Sequence, residues 1–210
     1  MLEQLRDLRS HRGFTSLAIS RFISNVGNGV SPIALAYGVL SLDGADGKNL
    51  SIVMAARFVP LIGFMLFGGV IADRFQRNRL VGGADMIGSF LAAVSAVSLI
   101  AGFSSVWLLA TMGALFGILN AIWWPAMSGV LPEILPKEKL QSGNAIIGLT
   151  SNIGYIVGTL SGGVLVATVG AGWGLLLDAI SVFIAGAIVW FLPILGRVKD
   201  KSPGILHDLI

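Results

Sequence analysis

Four ionisable side chains, Arg21, Arg57, Asp85 and Asp178, stand in long apolar stretches of this chain. Their surroundings are free of charge over Phe22–Leu42, Met86–Pro132 and Leu140–Leu177. A charged group at the centre of a hydrocarbon slab costs at least about 2.5–3.5 kcal/mol, so each needs a partner or water. Arg21 and Asp85 lie at a similar depth from one end of their stretches, and Arg57 and Asp178 at a comparable depth from the other. Arg21–Asp85 and Arg57–Asp178 are therefore candidate pairs. The alternatives are snorkelling of the two arginines and simple hydrogen bonding of the two aspartates. Either carboxylate is also a candidate proton carrier. A second polar group follows an apolar run: Asp73 with Arg74, Arg77 and Arg79. A carboxylate there can pair with the arginines and cap a neighbouring helix N-terminus. Gly69, one turn earlier, lets another helix come close.

The elements that must hold these groups follow from composition. The chain has 210 residues, 55% hydrophobic and only 12% charged, with 28 glycines and no cysteine. A soluble domain is about 25% charged, so a soluble enzyme, a nucleic-acid binder and a disordered chain are excluded. The net charge of +3 is scattered between apolar blocks and forms no nucleic-acid patch. Without cysteine there are no disulfides and no thiolate metal sites. The charge-free windows predict an all-α integral membrane protein with six spans, about 14–41, 50–72, 80–101, 106–131, 143–168 and 173–195, each long enough to cross a bilayer. GFSS at 102–105 and the Gly170–Gly172 region divide the longest runs. Eleven basic residues (Arg6, Arg9, Arg12, Arg74, Arg77, Arg79, Lys137, Lys139, Arg197, Lys199 and Lys201) fall on one side and Lys48 alone on the other. The positive-inside rule puts both termini in the cytoplasm, and Trp107, Trp173 and Trp190 suit an interfacial belt. Residues 1–13 place Leu2, Leu5 and Leu8 on one face, which fits a short surface helix or equally a basic tail that only sets topology. Residues 14–195 are the membrane domain and 196–210 a cytoplasmic linker.

GGVIADRFQRNR at 68–79 resembles the short cytoplasmic 2–3 loop signature of the major facilitator superfamily. Gly69, Asp73, Arg74, Arg77 and Arg79 match; Gln76 and Asn78 depart from it. The resemblance implies a gating latch, against the plainer reading that three arginines obey positive-inside. NIGYIVGTLSGG at 152–163 is similar to the superfamily's antiporter signature, with Thr159 where proline is usual. Gly154, Gly158 and Gly162 stripe one helix face, and Gly163 completes the match. This implies a gate helix; simple tight packing is the alternative. WWPAMSGVLPEILPKEKLQSGNAI at 123–146 resembles the 4–5 connection of the exporter branch that includes enterobactin exporters and macrolide-efflux-type permeases, through Pro125, Leu131, Pro132, Leu135, Pro136, Leu140 and Asn144, with Gly143 for the usual alanine. Arg21, Ser24, Asn25 and Gly27, Arg57 with Pro60, and Asp178 with Ser181 fit the same branch. The arginine that many proton-coupled antiporters carry in span four is absent; Gly113 stands there.

The resemblance covers essentially the whole chain but only the N-terminal half of such proteins. It implies two inverted three-helix repeats, 14–101 and 106–195, and half of a twelve-helix exporter acting by alternating access on a small lipophilic or amphipathic molecule in the cell membrane. A second six-helix half, as a separate chain or another copy, would complete it. The alternative is a truncated or partner module that does not transport alone. Asn25, Asn28, Asn120, Ser151, Asn152 and Tyr155, polar at mid-depth, are substrate-cavity candidates, with interhelical hydrogen bonding as the other reading. No catalytic constellation, metal set or cofactor motif is expected. DGADGK at 43–48 reads as turn chemistry, and the glycosylation triplet Asn49-Leu50-Ser51 abuts the membrane.

Overall fold

The computed structural model describes residues 7, 8, 10, 11 and 13–193. The linker expected at 196–210, and Leu2, Leu5, Arg6, Arg9 and Arg12 of the arm, lie outside the described residues. Six long helices follow: α1 (Phe14–Leu40), α2 (Gly47–Arg74), α3 (Arg77–Ile100), α4 (Val106–Ile134), α5 (Leu140–Val169) and α6 (Ala171–Trp190), with a 3₁₀ turn at Lys137–Lys139. Five of them, α2 to α6, are long and apolar enough to cross a membrane by length and composition. Helix α1 falls outside that group because Ser20, Arg21, Ser24, Asn25, Asn28 and Ser31 interrupt its apolar run. The fold is all-helical, and the chain is a multi-pass membrane protein.

Helix ends follow local chemistry. Asp46 caps α2: its carboxylate accepts from the backbone N–H groups of Lys48 (2.9 Å) and Asn49 (3.2 Å). The Asn49 side chain accepts in return from the Asp46 N–H at 3.0 Å, a capping box. Thus α2 begins three residues before the expected 50: the first half of DGADGK is the expected turn, with Gly44 at φ +70°, and its second half starts the helix. Ser105 caps α4 through the Leu108 N–H. Gly102, at φ +75°, makes the reversal before it. Helix α6 stops at Trp190, short of the expected 195. Pro193 accounts for this, since a proline disfavours helical conformation in the residue before it and donates no N–H. Helix α4 runs past the expected 131, through Pro132, to Ile134; Leu135, before Pro136, is extended.

Helix α1 packs along α5 and α6, α4 packs along α2 and α3, and α3 and α6 pack on each other. The α1–α5 contact is backbone to backbone. A Cβ on Gly154 or Gly158 would fall against the carbonyls of Phe22 or Val26, and one on Gly162 against Val30. The α2–α4 contact is built likewise, with Gly117 against the Arg57 carbonyl and Gly68 against that of Ala121. Between helices in lipid no hydrophobic drive exists, so such close approach and its dispersion energy carry association. Buried apolar residues form two clusters. One joins Leu17, Val81, Val130 and Val189; the other joins Val30, Val39, Val53, Leu109 and Leu175. Helices α2 and α5 leave large apolar side chains outside, including Ile62, Leu66, Ile156 and Leu160.

Candidate functional site

A cavity of about 540 Å³ opens between α1, α2, α4 and α5, with Ala84, Asp85 and Val182 at its back. Of the polar residues expected there, Asn25, Asn28, Asn120, Ser151 and Tyr155 line it. Asn152 does not: it is exposed, about 100° around α5 from Ser151. The asparagine amides make intrahelical rather than interhelical hydrogen bonds. Asn25 Nδ2 donates to the Arg21 carbonyl (2.7 Å), Asn120 Nδ2 to the Phe116 carbonyl (2.9 Å) and Asn28 Nδ2 to Ser24 Oγ (3.4 Å).

The cavity wall also carries three of the four intramembrane charges, Arg21, Arg57 and Asp85. The structure brings Arg21 and Asp85 together, with Nη2 to Oδ2 at 3.5 Å and side-chain exposures of 4% and 10%. The Arg21 guanidinium lies 4.9 Å from the Trp123 ring centroid, and that of Arg57 lies 4.6 Å from Phe116. Both stackings are cation–π contacts. Arg57 and Asp178 make no ion pair within the 4 Å that defines one, but they share a second, smaller pocket of about 50 Å³ with Ser31 and Ser95. That space is enough for a few water molecules. Gly27 lets α1 settle directly on Asp178 and Ser181.

The sequence reading missed the aromatic part of the site: Phe58, Phe116, Trp123 and Trp124. The signal available was the Trp123-Trp124 pair, which had served only as a motif. The two rings meet edge to face, 5.2 Å between centroids.

Where α2 meets α3, Arg77 Nη2 pairs with Asp73 Oδ1 at 3.2 Å, and Arg77 Nε with Glu133 Oε1 at 3.7 Å. Glu133, on α4, was not anticipated. The Arg77 side chain lies in the space a side chain on Gly129 would occupy, so one guanidinium ties α2, α3 and α4. Arg79 stacks on Trp190 at 4.6 Å. Gly69 faces open space within this chain; the close approach is made by its neighbour Gly68. Of the four glycines expected on a gate helix, Gly154, Gly158 and Gly162 are buried on α1, while Gly163 faces outward. Lys139 Nζ binds the Asp7 carboxylate at 2.6 Å, pinning the described part of the arm to the 4–5 connection. That hydrogen bond, more than the charge itself, holds Asp7 below the usual carboxylate range. Leu8 is buried beside it among the residues of the first cluster.

The family profile described as "Transmembrane secretion effector" matches residues 6–202. The enterobactin exporter EntS of Citrobacter koseri is 28% identical over 202 residues, covering 93% of this chain and 46% of that protein. The enterobactin exporters EntS of Salmonella typhi and of Escherichia coli O9:H4 are each 27% identical over the same shares. The chain spans about half the length of the curated relatives it matches. With its helices, motifs and these relatives taken together, the chain belongs to the transmembrane secretion effector family of the major facilitator superfamily.

Proposed function

We propose that the chain is one half of a secondary active exporter that moves a small lipophilic or amphipathic compound by alternating access. The observation that carries this reading is the cavity between α1, α2, α4 and α5, polar at a few points and otherwise apolar and aromatic. The relatives are named as enterobactin exporters, which supports export as the direction. Exchanging α1 with α4, α2 with α5 and α3 with α6 maps the helix packing onto itself. That regularity supports two inverted three-helix repeats, 14–101 and 106–195. In this reading Asp73, Arg74, Arg77 and Arg79 form a cytoplasmic latch, α5 is a gate helix, and Asp85 or Asp178 carries a coupling proton in an antiport cycle. Both termini lie in the cytoplasm of a cell-membrane protein, with residues 196–210 leading toward the second half.

The outward apolar side chains of α2 and α5 favour a second six-helix half as partner. They equally support the alternative, a half-module that does not transport alone. Vesicles containing the chain, with and without a second half, separate the readings with a panel of lipophilic fluorescent dyes. Dye movement only in the presence of the second half, lost in Asp73→Asn, supports the exporter. Movement with the chain alone makes it a self-assembling transporter. Absence of movement in every combination leaves only the non-transporting module.

A further inference from the structure

The two intramembrane arginines differ in how their charge is met. Arg21 has the Asp85 carboxylate at 3.5 Å, and its Nε and Nη2 are walled in. Arg57 makes no ion pair and no hydrogen bond among the described residues. Its nitrogens, unlike those two of Arg21, are not enclosed. The face of Phe116 lies 4.6 Å from its guanidinium, which offsets only part of the cost of an unpaired charge in hydrocarbon. Snorkelling brings no relief. Arg57 stands ten residues into α2 (57 − 47), about 15 Å along its axis, which is half of a hydrocarbon core about 30 Å thick.

Asp178 is the carboxylate whose field reaches Arg57, and it is held back. It takes a hydrogen bond from Ser31 and sits against Gly27 of α1. It borders the pocket of about 50 Å³ and not the cavity of about 540 Å³, whereas Arg57 and Phe116 border both. Arg57 and Phe116 are thus the partition between the two spaces. The charges on the cavity wall are two cations, Arg21 and Arg57, and one anion, Asp85, a sum of +1. Arg21 and Asp85 meet each other, so the excess lies on Arg57. The same wall includes Phe58, Phe116 and Trp124, and the cavity has room for a drug-sized molecule.

We propose that Arg57 anchors an anionic head group, a carboxylate or similar compact oxyanion, carried on an apolar or aromatic body in the cavity. The oxyanion supplies a counter-charge at hydrogen-bond distance, which Asp178 does not reach. The assignment rests on reading the cavity as the place where substrate sits, and it narrows that substrate to an amphipathic anion. It also makes the bound anion and Asp178 competitors for one guanidinium.

The test is equilibrium binding of three matched probes to the full 210-residue chain in phosphatidylcholine nanodiscs, at neutral pH and fixed ionic strength. 2-Naphthoate is the anion, 2-naphthamide the same body without charge, and 2-naphthylmethylammonium the cation. Naphthoate is expected to bind about tenfold more tightly than the amide, the worth of one hydrogen bond to a charged group, and the ammonium more weakly than either. Arg57→Gln removes the charge and is expected to bring naphthoate and amide within about threefold of each other. That variant leaves Asp178 buried without its cation and can unfold the chain. Arg57→Gln/Asp178→Asn therefore repeats the measurement with both charges gone, and the same loss is expected. Asp178→Asn alone removes the competitor and is expected to tighten naphthoate by about threefold or more, with the amide unchanged. No binding of any probe, no preference for naphthoate in the wild type, a preference that survives the double variant, or naphthoate binding that does not tighten in Asp178→Asn would overturn the proposal. The exporter reading fails separately: vesicles without dye movement, alongside an intact naphthoate preference, reject transport and leave the anion site standing. Movement without the preference rejects only the site.

Discussion

Gly158→Ala places one methyl group against α1. The new Cβ would lie 2.8 Å from the Val26 carbonyl carbon and 3.0 Å from its Cα, where 3.4 Å is the inner edge of ordinary contact. The obstacle is backbone, so no rotamer change relieves it. The Val26 carbonyl oxygen lies closer still, so helices α1 and α5 must part by more than the roughly 0.6 Å that the carbonyl carbon alone requires, 3.4 against 2.8. A gap of roughly 0.5–1 Å forfeits a quarter to a half of each dispersion contact across it. Overpacking costs about 1–3 kcal/mol, and the better helix propensity of alanine returns up to about 1 kcal/mol. Because the obstacle is backbone, the upper end of the overpacking range applies, and the net expectation is a loss of about 2 kcal/mol, a factor of about 30 in the folded-to-unfolded ratio. Gly163→Ala, five residues on, is the control, since its Cβ meets nothing within 4 Å. It is expected to be neutral or stabilising by up to about 1 kcal/mol. Titrating both purified variants with a denaturing detergent, with helix content read by circular dichroism, gives the two differences. Equal stabilities for Gly158→Ala and Gly163→Ala would refute the claim that backbone contact joins these helices.

Arg21→Met alone leaves Asp85 buried without its cation and is expected to destabilise by about 3–5 kcal/mol, whereas Arg21→Met/Asp85→Leu recovers most of that; the same titration compares them. Asp46→Ala removes the cap of α2 and should cost about 0.5–2 kcal/mol, with amide exchange rising over residues 47–50. Gly129→Ala expels Arg77 from its seat; charge-swapping Glu133 and Arg77 together should restore more stability than either single change if their pairing matters. Asp7 has a lowered carboxyl pKa from its hydrogen bond to Lys139. Its contribution is therefore present above the ordinary carboxylate pKa and is lost as pH falls through the lowered one. Acidification across that window, or Asp7→Asn at neutral pH, should raise amide exchange at Leu8 and Ser10 while residues 80–100 stay protected.

Helix number and approximate ends were legible because charge cannot be spread along a lipid-crossing segment, so the gaps between charges mark the spans. The early start of α2 was written in Asp46 and Asn49 as well, but acid-glycine pairs also make turns, and only geometry separates a turn from a capping box. The glycine stripe gave the face at Gly154, Gly158 and Gly162 through its period of four. Gly163 matched the motif equally well and faces outward. The Arg21–Asp85 contact followed from depth matching. The aromatic wall did not, because in an apolar helix nothing in the sequence separates a tryptophan that faces a cavity from one that faces lipid. Glu133 was hidden for another reason: it pairs with Arg77 across a distance in sequence that no local pattern records, and its space is made by a missing side chain at Gly129.

The carbonyl-to-glycine contacts that join α1 to α5 and α2 to α4 also determine where this chain stores its structural information. In a water-soluble core the largest buried side chains are the hardest to replace. Here Leu66, Ile62 and Leu160 are 79%, 72% and 71% exposed within this chain, and against lipid or the apolar face of a second half another apolar side chain would serve in their place. The positions least tolerant of replacement are those with no side chain at all, Gly68, Gly117, Gly154 and Gly158. Mutational tolerance should therefore increase with residue size along these helices, so a survey of variants that looked for constraint among the bulky residues would find the fold written in the smallest ones.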